Sequence, residues 1–368
     1  LISHLQDIDE DVALAAMLSD VDVMIAGGGD ELLANPGNPL IPGEEGDVFG
    51  PYPIVATDAD GAEVPVVTTP GEYKYLGELW IGFDPDGKST LWAGSPIRIQ
   101  GAQDAGIFDA AVAPVIAATE TLDATVIGTS EVALDGTRTS VRGVESNEGN
   151  LIADALRWQA TQLADSFGVA VPDVAIQNGG GIRNNTVIEA GDITLLDTFD
   201  MVPFPNFVTV LEGIPRAQFK EILENAYSQV PGGGRFAQIS GFTVSYDIAK
   251  TAQVLNDDGT VDVAGERIQD VMLDDGTALV ANGAVVAGDP ITISTIDFLA
   301  RGGDQYPYRG APFTSVGVSY QQALANYIVD GLAGAITAAD YPEGGEGRIT
   351  QTETVPIEGP FTPIYEIQ

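Results

Sequence analysis

The stretch that most constrains this chain is a short apolar strand that runs directly into three glycines and an arginine. Residues 173–176 have the apolar, β-branched character of a buried strand, and residues 179–181 form a glycine loop. A turn without side chains lets backbone approach a ligand closely, and successive N–H groups there can bind an anion. Arg183 follows the glycine loop, and its guanidinium suits carboxylate or phosphate. The same pattern equally fits a tight structural turn with its arginine in a surface ion pair.

The charge balance restricts the partners that this chain can bind. Its 368 residues include 54 Asp and Glu but only 15 Lys and Arg, so the net charge is −39. Such a surface repels nucleic acid and anionic membranes at long range, and we expect no nucleic-acid partner. An acidic surface is also typical of proteins from salty surroundings, where ions screen self-repulsion. We therefore expect an extracellular or periplasmic protein from a saline habitat.

The length and the hydropathy pattern bound the domain organisation. A chain of 368 residues predicts one large or two ordinary domains. A helix is predicted over residues 103–120, with an apolar face that includes Val112 and Ile116, and it separates a strand-rich part from a second alternating segment. No apolar run reaches the length of a membrane span, so none is expected. Because the chain begins at Leu1, we expect it to start inside a longer precursor.

The residue types exclude several kinds of catalytic site. The chain has no cysteine, which rules out disulfides, thiolate metal sites and cysteine nucleophiles. His4 is the single histidine, so a Ser/His/Asp set around the glycine loop is not expected, and we assign no catalytic residue. A two-metal hydrolase needs many nitrogen and oxygen ligands, among which imidazole is common. Any metal would have to be held mainly by oxygen.

Four side chains outside these considerations could bind a ligand. Phe236 and Phe298 lie beside glycines, where an aromatic ring could stack on a planar group or could simply belong to the core. Asp304 could accept a hydrogen bond from a sugar hydroxyl or could cap its own turn, and Asn178 could do likewise. An anion pocket beside an aromatic slot would suit a nucleoside phosphate.

Four motifs, in this order, resemble the C-terminal domain of 5′-nucleotidases over about residues 121–350. They are Glu-x-Asn-x-Gly-Asn-Leu-Ile-Ala-Asp (145–154), Asn-Gly-Gly-Gly-Ile-Arg (178–183), Phe-x-Gln-x-Ser-Gly (236–241) and Phe-x-Ala-x-Gly-Gly-Asp (298–304).

The resemblance implies that this part of the chain binds a nucleotide or nucleoside. Phe236 and Phe298 would enclose the base, Arg183 would contact the substrate, and Asp304 would bind ribose. Pro205 departs from the family pattern, which usually has glycine after Pro-Phe. The residues that the resemblance implies as substrate-binding are Asn178, Gly180, Arg183, Phe236, Gln238, Phe298 and Asp304.

Residues 1–94 resemble the closing third of the family's N-terminal metallophosphoesterase domain. His4 matches a metal-ligand position, but Gly28 stands where a second histidine is expected, and Asp30 replaces a third. The resemblance implies divalent metal ions as cofactors. With His4 and Asp30 as the remaining candidate ligands, we expect the metal site to be weak or absent.

These observations predict an α/β and α+β protein with four parts: a partial metallophosphoesterase-like sandwich (1–94), a linker helix (95–120), a 5′-nucleotidase C-terminal domain with a mixed sheet (121–350) and an extended tail (351–368). We expect the C-terminal domain to recognise nucleotides and this chain, as it stands, not to hydrolyse phosphate esters. Two alternatives stay open: an active secreted 5′-nucleotidase seen without its N-terminal half, and a structural surface protein. The possible protein partners are a second copy of this chain and an upstream fragment.

Overall fold

The computed structural model describes residues 1–256 and 258–352, and the chain divides into two compact units, residues 1–109 and residues 110–368. Helices and both parallel and antiparallel strands occur, which confirms the predicted mixed α/β class. The predicted domain limits 1–94, 95–120 and 121–350 stay predictions. The predicted extended tail lies, from residue 353 onward, outside the described residues.

The first unit combines a small sheet with a long hairpin. Strand β5 lies between β4, to which it is antiparallel, and β1, to which it is parallel, while β6 and β7 pair antiparallel along their length. A small core gathers Ile8, Met24, Leu33 and Val66. The elements are α1 (Ile8–Ala15), β1 (Met24–Ile25), β2 (Leu32–Leu33), β3 (Val48–Gly50), β4 (Ile54–Thr57), β5 (Glu63–Val67), β6 (Tyr75–Phe83), β7 (Ser89–Arg98) and α2 (Ala105–Ile107).

A helical stretch runs over the predicted residues 103–120, but its apolar face is not buried. Helix α2 continues through a π-helical turn, Phe108–Val112, into helix α3, Ala113–Asp123, and none of these residues is buried. By length and composition alone, Ala105–Asp123 could cross a membrane, with a mean hydropathy of 1.4. The expectation that the chain has no membrane span stays a prediction.

The second unit is built on a mixed five-stranded sheet in the order β14–β10–β21–β13–β22, in which only the pair β10–β21 is parallel. The strands and helices described after α3, those of the sheet included, are β8 (Val126–Ser130), β9 (Leu134–Asp135), α4 (Arg138–Val141), α5 (Asn147–Phe167), β10 (Val174–Asn178), β11 (Val187–Ile188), β12 (Gly191–Thr194), α6 (Leu195–Met201), β13 (Phe207–Ile214), α7 (Arg216–Ala226), β14 (Ala237–Ser240), β15 (Phe242–Tyr246), β16 (Val254–Leu255), β17 (Val261–Val263), β18 (Ile268–Leu273), β19 (Ala278–Ala281), β20 (Ala284–Val285), β21 (Ile291–Ile296), α8 (Asp297–Ala300), β22 (Phe313–Ser319), α9 (Tyr320–Asn326), β23 (Ala335–Ile336) and β24 (Ile349–Gln351).

Helix α5 covers the central sheet of this unit. Ser146 caps its first turn by accepting a hydrogen bond from the Gly149 N–H (3.2 Å), and Gly168 ends it in the left-handed region with φ of 64°. Between these caps an apolar stripe that includes Leu151 and Leu156 is fully buried. Burial of the helix therefore holds its N-terminal turn beside the end of β10. The motif at residues 145–154 begins at this turn.

Candidate functional site

The glycine loop has no room for side chains, because the backbone of neighbouring segments lies directly against it. Strand β10 is buried throughout and leads into a 3₁₀ turn, Gly179–Gly181. A Cβ at Gly179 would lie 2.0 Å from the Val141 oxygen, and one at Gly180 would lie 3.0 Å from the Gly234 oxygen. The N–H groups of Gly179 and Gly180 donate to the oxygens of Phe236 and Gly234, each at 2.7 Å. These two amides therefore hold the neighbouring loop and do not form the anion-binding concavity that the pattern allows.

A hydrogen bond brings two of the predicted motifs together at the end of β10. Asn178 Nδ2 donates to Asp304 Oδ2 at 2.6 Å, across 126 residues of sequence. Gln177 Nε2 donates to Asn178 Oδ1 at 2.9 Å, which fixes the orientation of the Asn178 amide. Asp304 lies in a left-handed turn with φ of 51°, which directs its carboxylate toward the glycine loop. Asn178 is buried and Asp304 is half-buried, so one carboxylate oxygen remains for a ligand.

Several arginines converge on Asp304 in a chain that is otherwise strongly acidic. Burial lowers the pKa of Arg142 to about 10, the charges of Arg138 and Arg183 act in the same direction, and Asp304 opposes them. Burial and Arg138 likewise lower the pKa of Arg183, while Tyr320 and Asp304 raise it. Among the described residues, the Nε atoms of Arg142 and Arg183 are buried without a hydrogen-bond partner. Buried cations in mutual repulsion are typical of a site that binds an anion.

The side chains around these arginines orient them. The Arg183 Cζ atom lies 5.1 Å from the centre of the Phe204 ring, which is a cation–π contact. Arg235 donates to Asn225 Oδ1 and to Gln305 Oε1, each at 2.9 Å, so its guanidinium is engaged inside the protein. Arg183 also borders a cavity of about 370 Å³ between Asn184 and Pro203.

The two predicted aromatic residues differ in accessibility. Phe298 is 42% exposed, and its ring lies against Gly303, where an added Cβ would meet it at 2.5 Å. Phe236 has no exposed surface, and its ring packs edge-on against Tyr227 with centroids 5.1 Å apart. The structure therefore presents one aromatic face beside Asp304. A base enclosed between both rings stays a prediction that requires Phe236 to be uncovered.

Gln238 is also buried, and its hydrogen bonds give it a structural role. Its Nε2 atom donates to the oxygens of Val141 (3.2 Å) and Val144 (2.8 Å), and its Oε1 atom accepts from the Ser146 N–H (3.2 Å). These bonds hold the segment that carries Arg142. Direct contact between Gln238 and a substrate stays a prediction.

Arg142, Arg235 and Phe204 belong to this site although no predicted motif includes them. For Arg142 the sequence does hold a signal. Arg138 and Arg142 lie four residues apart, immediately before the motif at residues 145–154, in a chain with few basic residues. The burial of Arg142 and its approach to Arg183 depend on the fold.

The candidate metal ligands in the first unit do not make a metal centre. His4 is exposed, and its ring occupies the space beside Gly28, where an added Cβ would lie 2.6 Å from it. Asp30 is exposed, and its Oδ1 atom accepts from the Gly71 N–H at 3.3 Å. Within residues 1–256 and 258–352, no group of three or more His, Cys, Asp or Glu side chains could hold a metal ion.

Fold and site together define an α/β domain with a cluster of arginines beside an exposed aromatic ring. Comparison with known proteins identifies it further, because the family model "5′-nucleotidase, C-terminal domain" matches residues 126–310. The chain belongs to the 5′-nucleotidase family. This family binds nucleotides and is generally metal-dependent.

Individual relatives support the same assignment. The chain is 31% identical over 245 residues to a snake venom 5′-nucleotidase of Naja atra, covering 66% of this chain and 45% of the relative, and 32% identical over 251 residues to a 5′-nucleotidase of Bos taurus, covering 65% and 42%. A 5′-nucleotidase precursor from Thermus thermophilus has a similar structure, with a TM-score of 0.63 and 27% identity over 94% of this chain and 62% of that one. The chain thus spans less than half the length of the two curated relatives named.

Proposed function

We propose that this chain binds a nucleotide in its second unit, with the phosphate beside Arg142 and Arg183 and the sugar at Asp304. The observation that carries the proposal is the pair of arginines whose Nε atoms are buried and have no partner within the described residues. A phosphate would supply the missing acceptors and offset the repulsion between the two cations. Asp304 offsets this repulsion only in part, since burial and the charge of Arg138 still lower the pKa of both arginines.

The base would rest on Phe298. Its ring is exposed and fixed against Gly303, and Asp304 follows directly, so a base on the ring places the attached sugar near the carboxylate. Asp304 accepts from Asn178 through one oxygen and can accept a sugar hydroxyl through the other. This arrangement favours nucleotides over inorganic phosphate, since two further contacts add to the phosphate site.

We further propose that the chain does not hydrolyse phosphate esters by itself. His4 and Asp30 are the candidate ligands, and no group of metal-ligating side chains surrounds them in the described part of the chain. Two-metal hydrolysis needs several ligands around each ion. We derive no hydrolytic step from these residues.

One alternative has an observation in its favour. The chain spans only 45% of the Naja atra relative, so an upstream segment of the same protein could complete a metal centre and an active secreted enzyme. The acidic composition fits an extracellular or periplasmic location in a saline habitat. A purely structural surface role is the outcome that an absence of binding would support.

Calorimetric titration tests the binding proposal. AMP, adenosine and inorganic phosphate are each titrated into the chain and into Arg183→Met and Asp304→Asn variants. Loss of one charge-assisted contact costs about 1.5–3 kcal/mol, so we expect affinity for AMP to fall roughly 10–100-fold in each variant. Arg157→Met, which removes an arginine paired with Asp274 at 3.2 Å, is the matched control and should bind AMP normally.

The outcomes separate the alternatives. Arg183→Met should weaken AMP and phosphate alike, whereas Asp304→Asn should weaken AMP and adenosine but spare phosphate. Binding that is absent, or that is unchanged in both variants, would contradict the proposal. Phosphate release from AMP with added Mg²⁺, Mn²⁺ or Zn²⁺ would contradict the proposed lack of hydrolysis.

A further inference from the structure

Two buried oxygens lie against the same glycine with no hydrogen-bond partner among the described residues. They are Glu148 Oε1, in the first turn of α5, and Asn184 Oδ1, in the residue after Arg183. A Cβ at Gly136 would lie 2.4 Å from the first and 2.2 Å from the second, so both oxygens face one point. Glu148 has no exposed surface, so water does not reach its carboxyl group freely.

The orientation of the Asn184 amide is fixed by its other contacts. Its Nδ2 atom donates to Glu148 Oε2 at 3.0 Å and to the Thr186 oxygen at 3.5 Å. No described residue donates to the amide oxygen, which lies beside the same glycine as Glu148 Oε1. If Glu148 were ionised, two acceptors would face each other in a buried place, which costs the full desolvation of each. A proton on Oε1 makes that atom a donor and satisfies both oxygens at once.

We propose that Glu148 carries a proton in the native protein and forms a two-bond ring with Asn184, in which Asn184 Nδ2–H donates to Oε2 and Glu148 Oε1–H donates to Oδ1. The ring ties the start of α5 to the residue that follows Arg183. Glu148 is thus a positioning residue for Arg183, and loss of its proton would loosen the anion site. The consequence for ligand binding rests on the function proposed above; the proton itself does not.

The surrounding charges agree with this geometry. Burial raises the pKa of Glu148 to about 8, the Asn184 bond opposes it, and the charges of Asp135 and Asp197 raise it further. Asp135 faces Glu148 from strand β9 and Asp197 from helix α6. Burial also acts to raise the pKa of Asp135, but hydrogen bonds from Ser140 and Thr137 outweigh it and lower that pKa, so Asp135 stays charged. The groups that act on Glu148 are acids, which favour the neutral carboxyl.

The sign of the pH dependence follows from linkage. An unfolded glutamate loses its proton near 4.5, whereas the native carboxyl holds its proton to about 8. The native state therefore binds more protons between these values, and its stability falls as the pH rises from the first to the second. Above that range the ring is open, and stability no longer changes on account of Glu148.

Glu148→Gln is the diagnostic variant, because glutamine places a permanent N–H donor where the proposal places the proton. We expect the urea midpoint of the natural chain to fall between about pH 6 and about pH 9, and that of Glu148→Gln to fall much less. Glu120→Gln, at an exposed position on α3, is the control and should keep the natural profile. Parallel profiles for the natural chain and Glu148→Gln would overturn the proposal.

Two further measurements keep the test independent of folding and of ligand identity. The ¹³C shift of the Glu148 carboxyl in the natural chain should titrate near pH 8, and a midpoint at the ordinary value for glutamate would overturn the proposal.

Sulfate, whose charge is constant in this range, serves as the anion probe. Its affinity should drop several-fold across the titration in the natural chain and not in Glu148→Gln; equal drops would overturn the positioning of Arg183. If sulfate binds neither protein, the proposed function fails while the carboxyl titration still decides the proton.

Discussion

Replacing Arg142 by methionine should stabilise the unliganded protein while removing its affinity for anions. Arg142 is 5% exposed, its Nε has no partner in the described chain, and the charges of Arg138 and Arg183 act on it. Methionine keeps the apolar stem and removes the charge. When a residue serves ligand binding at the expense of stability, replacing it raises the stability of the protein and removes the binding.

The expected gain follows from the pKa of Arg142. A reduction of the pKa from its ordinary value to about 10 corresponds to about 3 kcal/mol of penalty on the charged form, and screening by solvent at the guanidinium reduces this to about 1–2 kcal/mol. Arg142 is protonated at neutral pH in both the native and the unfolded state. The full penalty therefore applies there, and it starts to fall only as the pH rises above about 10, where the native side chain loses its proton and the unfolded one does not.

Urea unfolding at neutral pH, with and without inorganic phosphate, measures both effects. The unfolding free energy of Arg142→Met should exceed that of the natural chain by about 1–2 kcal/mol. Phosphate at 100 times its Kd should stabilise the natural chain by about 2.7 kcal/mol and leave the variant unchanged.

Arg348→Met is the matched control, since Arg348 is half-buried but bonded to Asp154 at 2.7 Å. Its loss leaves the half-buried Asp154 carboxylate without its cation and should lower the free energy of unfolding. An Arg142→Met protein that is less stable than the natural chain, or that phosphate stabilises equally, would refute the reasoning.

Three further predictions concern other parts of the site and the surface. Phe298→Ala should weaken adenosine binding roughly tenfold with little change in stability, as measured by calorimetry and urea unfolding, whereas Phe236→Ala should cost about 3–5 kcal/mol of stability because its ring is fully buried. Gly179→Ala should destabilise the protein measurably in the same unfolding assay, because its Cβ would lie 2.0 Å from the Val141 oxygen; a neutral effect would contradict the packing described. Raising KCl to roughly molar concentration should raise the thermal midpoint, since salt screens a net charge of −39; a midpoint that falls would contradict a saline habitat.

The fold class and the buried strand before the glycine loop could be predicted because they rest on local signals, and the family resemblance suggested that the motifs meet. The buried strand before the glycine loop forms as predicted, and Asn178 and Asp304, which lie 126 residues apart, bond to each other. Both carry strong turn chemistry, which is encoded within a few residues of sequence. The family assignment rests on the same motifs.

Long-range packing could not be predicted in the same way. The glycine loop allowed an anion-binding concavity, but its N–H groups bond to the loop at Gly234, which joins it only in the folded chain. Gln238 belongs to a motif, yet its amide holds the segment at residues 141–144. The unpaired state of Arg142 and the pairing of Glu148 with Asn184 depend on burial, which periodicity alone does not report for a polar residue.

The ³¹P NMR spectrum of AMP mixed with an equimolar amount of this chain and Mg²⁺ or Zn²⁺ tests both halves of the proposed function at once. The account predicts that the AMP signal shifts or broadens, that Arg142→Met abolishes this change, and that no inorganic phosphate signal grows with time. An AMP signal that is identical with and without protein, or a phosphate signal that grows in proportion to the protein added, would contradict it.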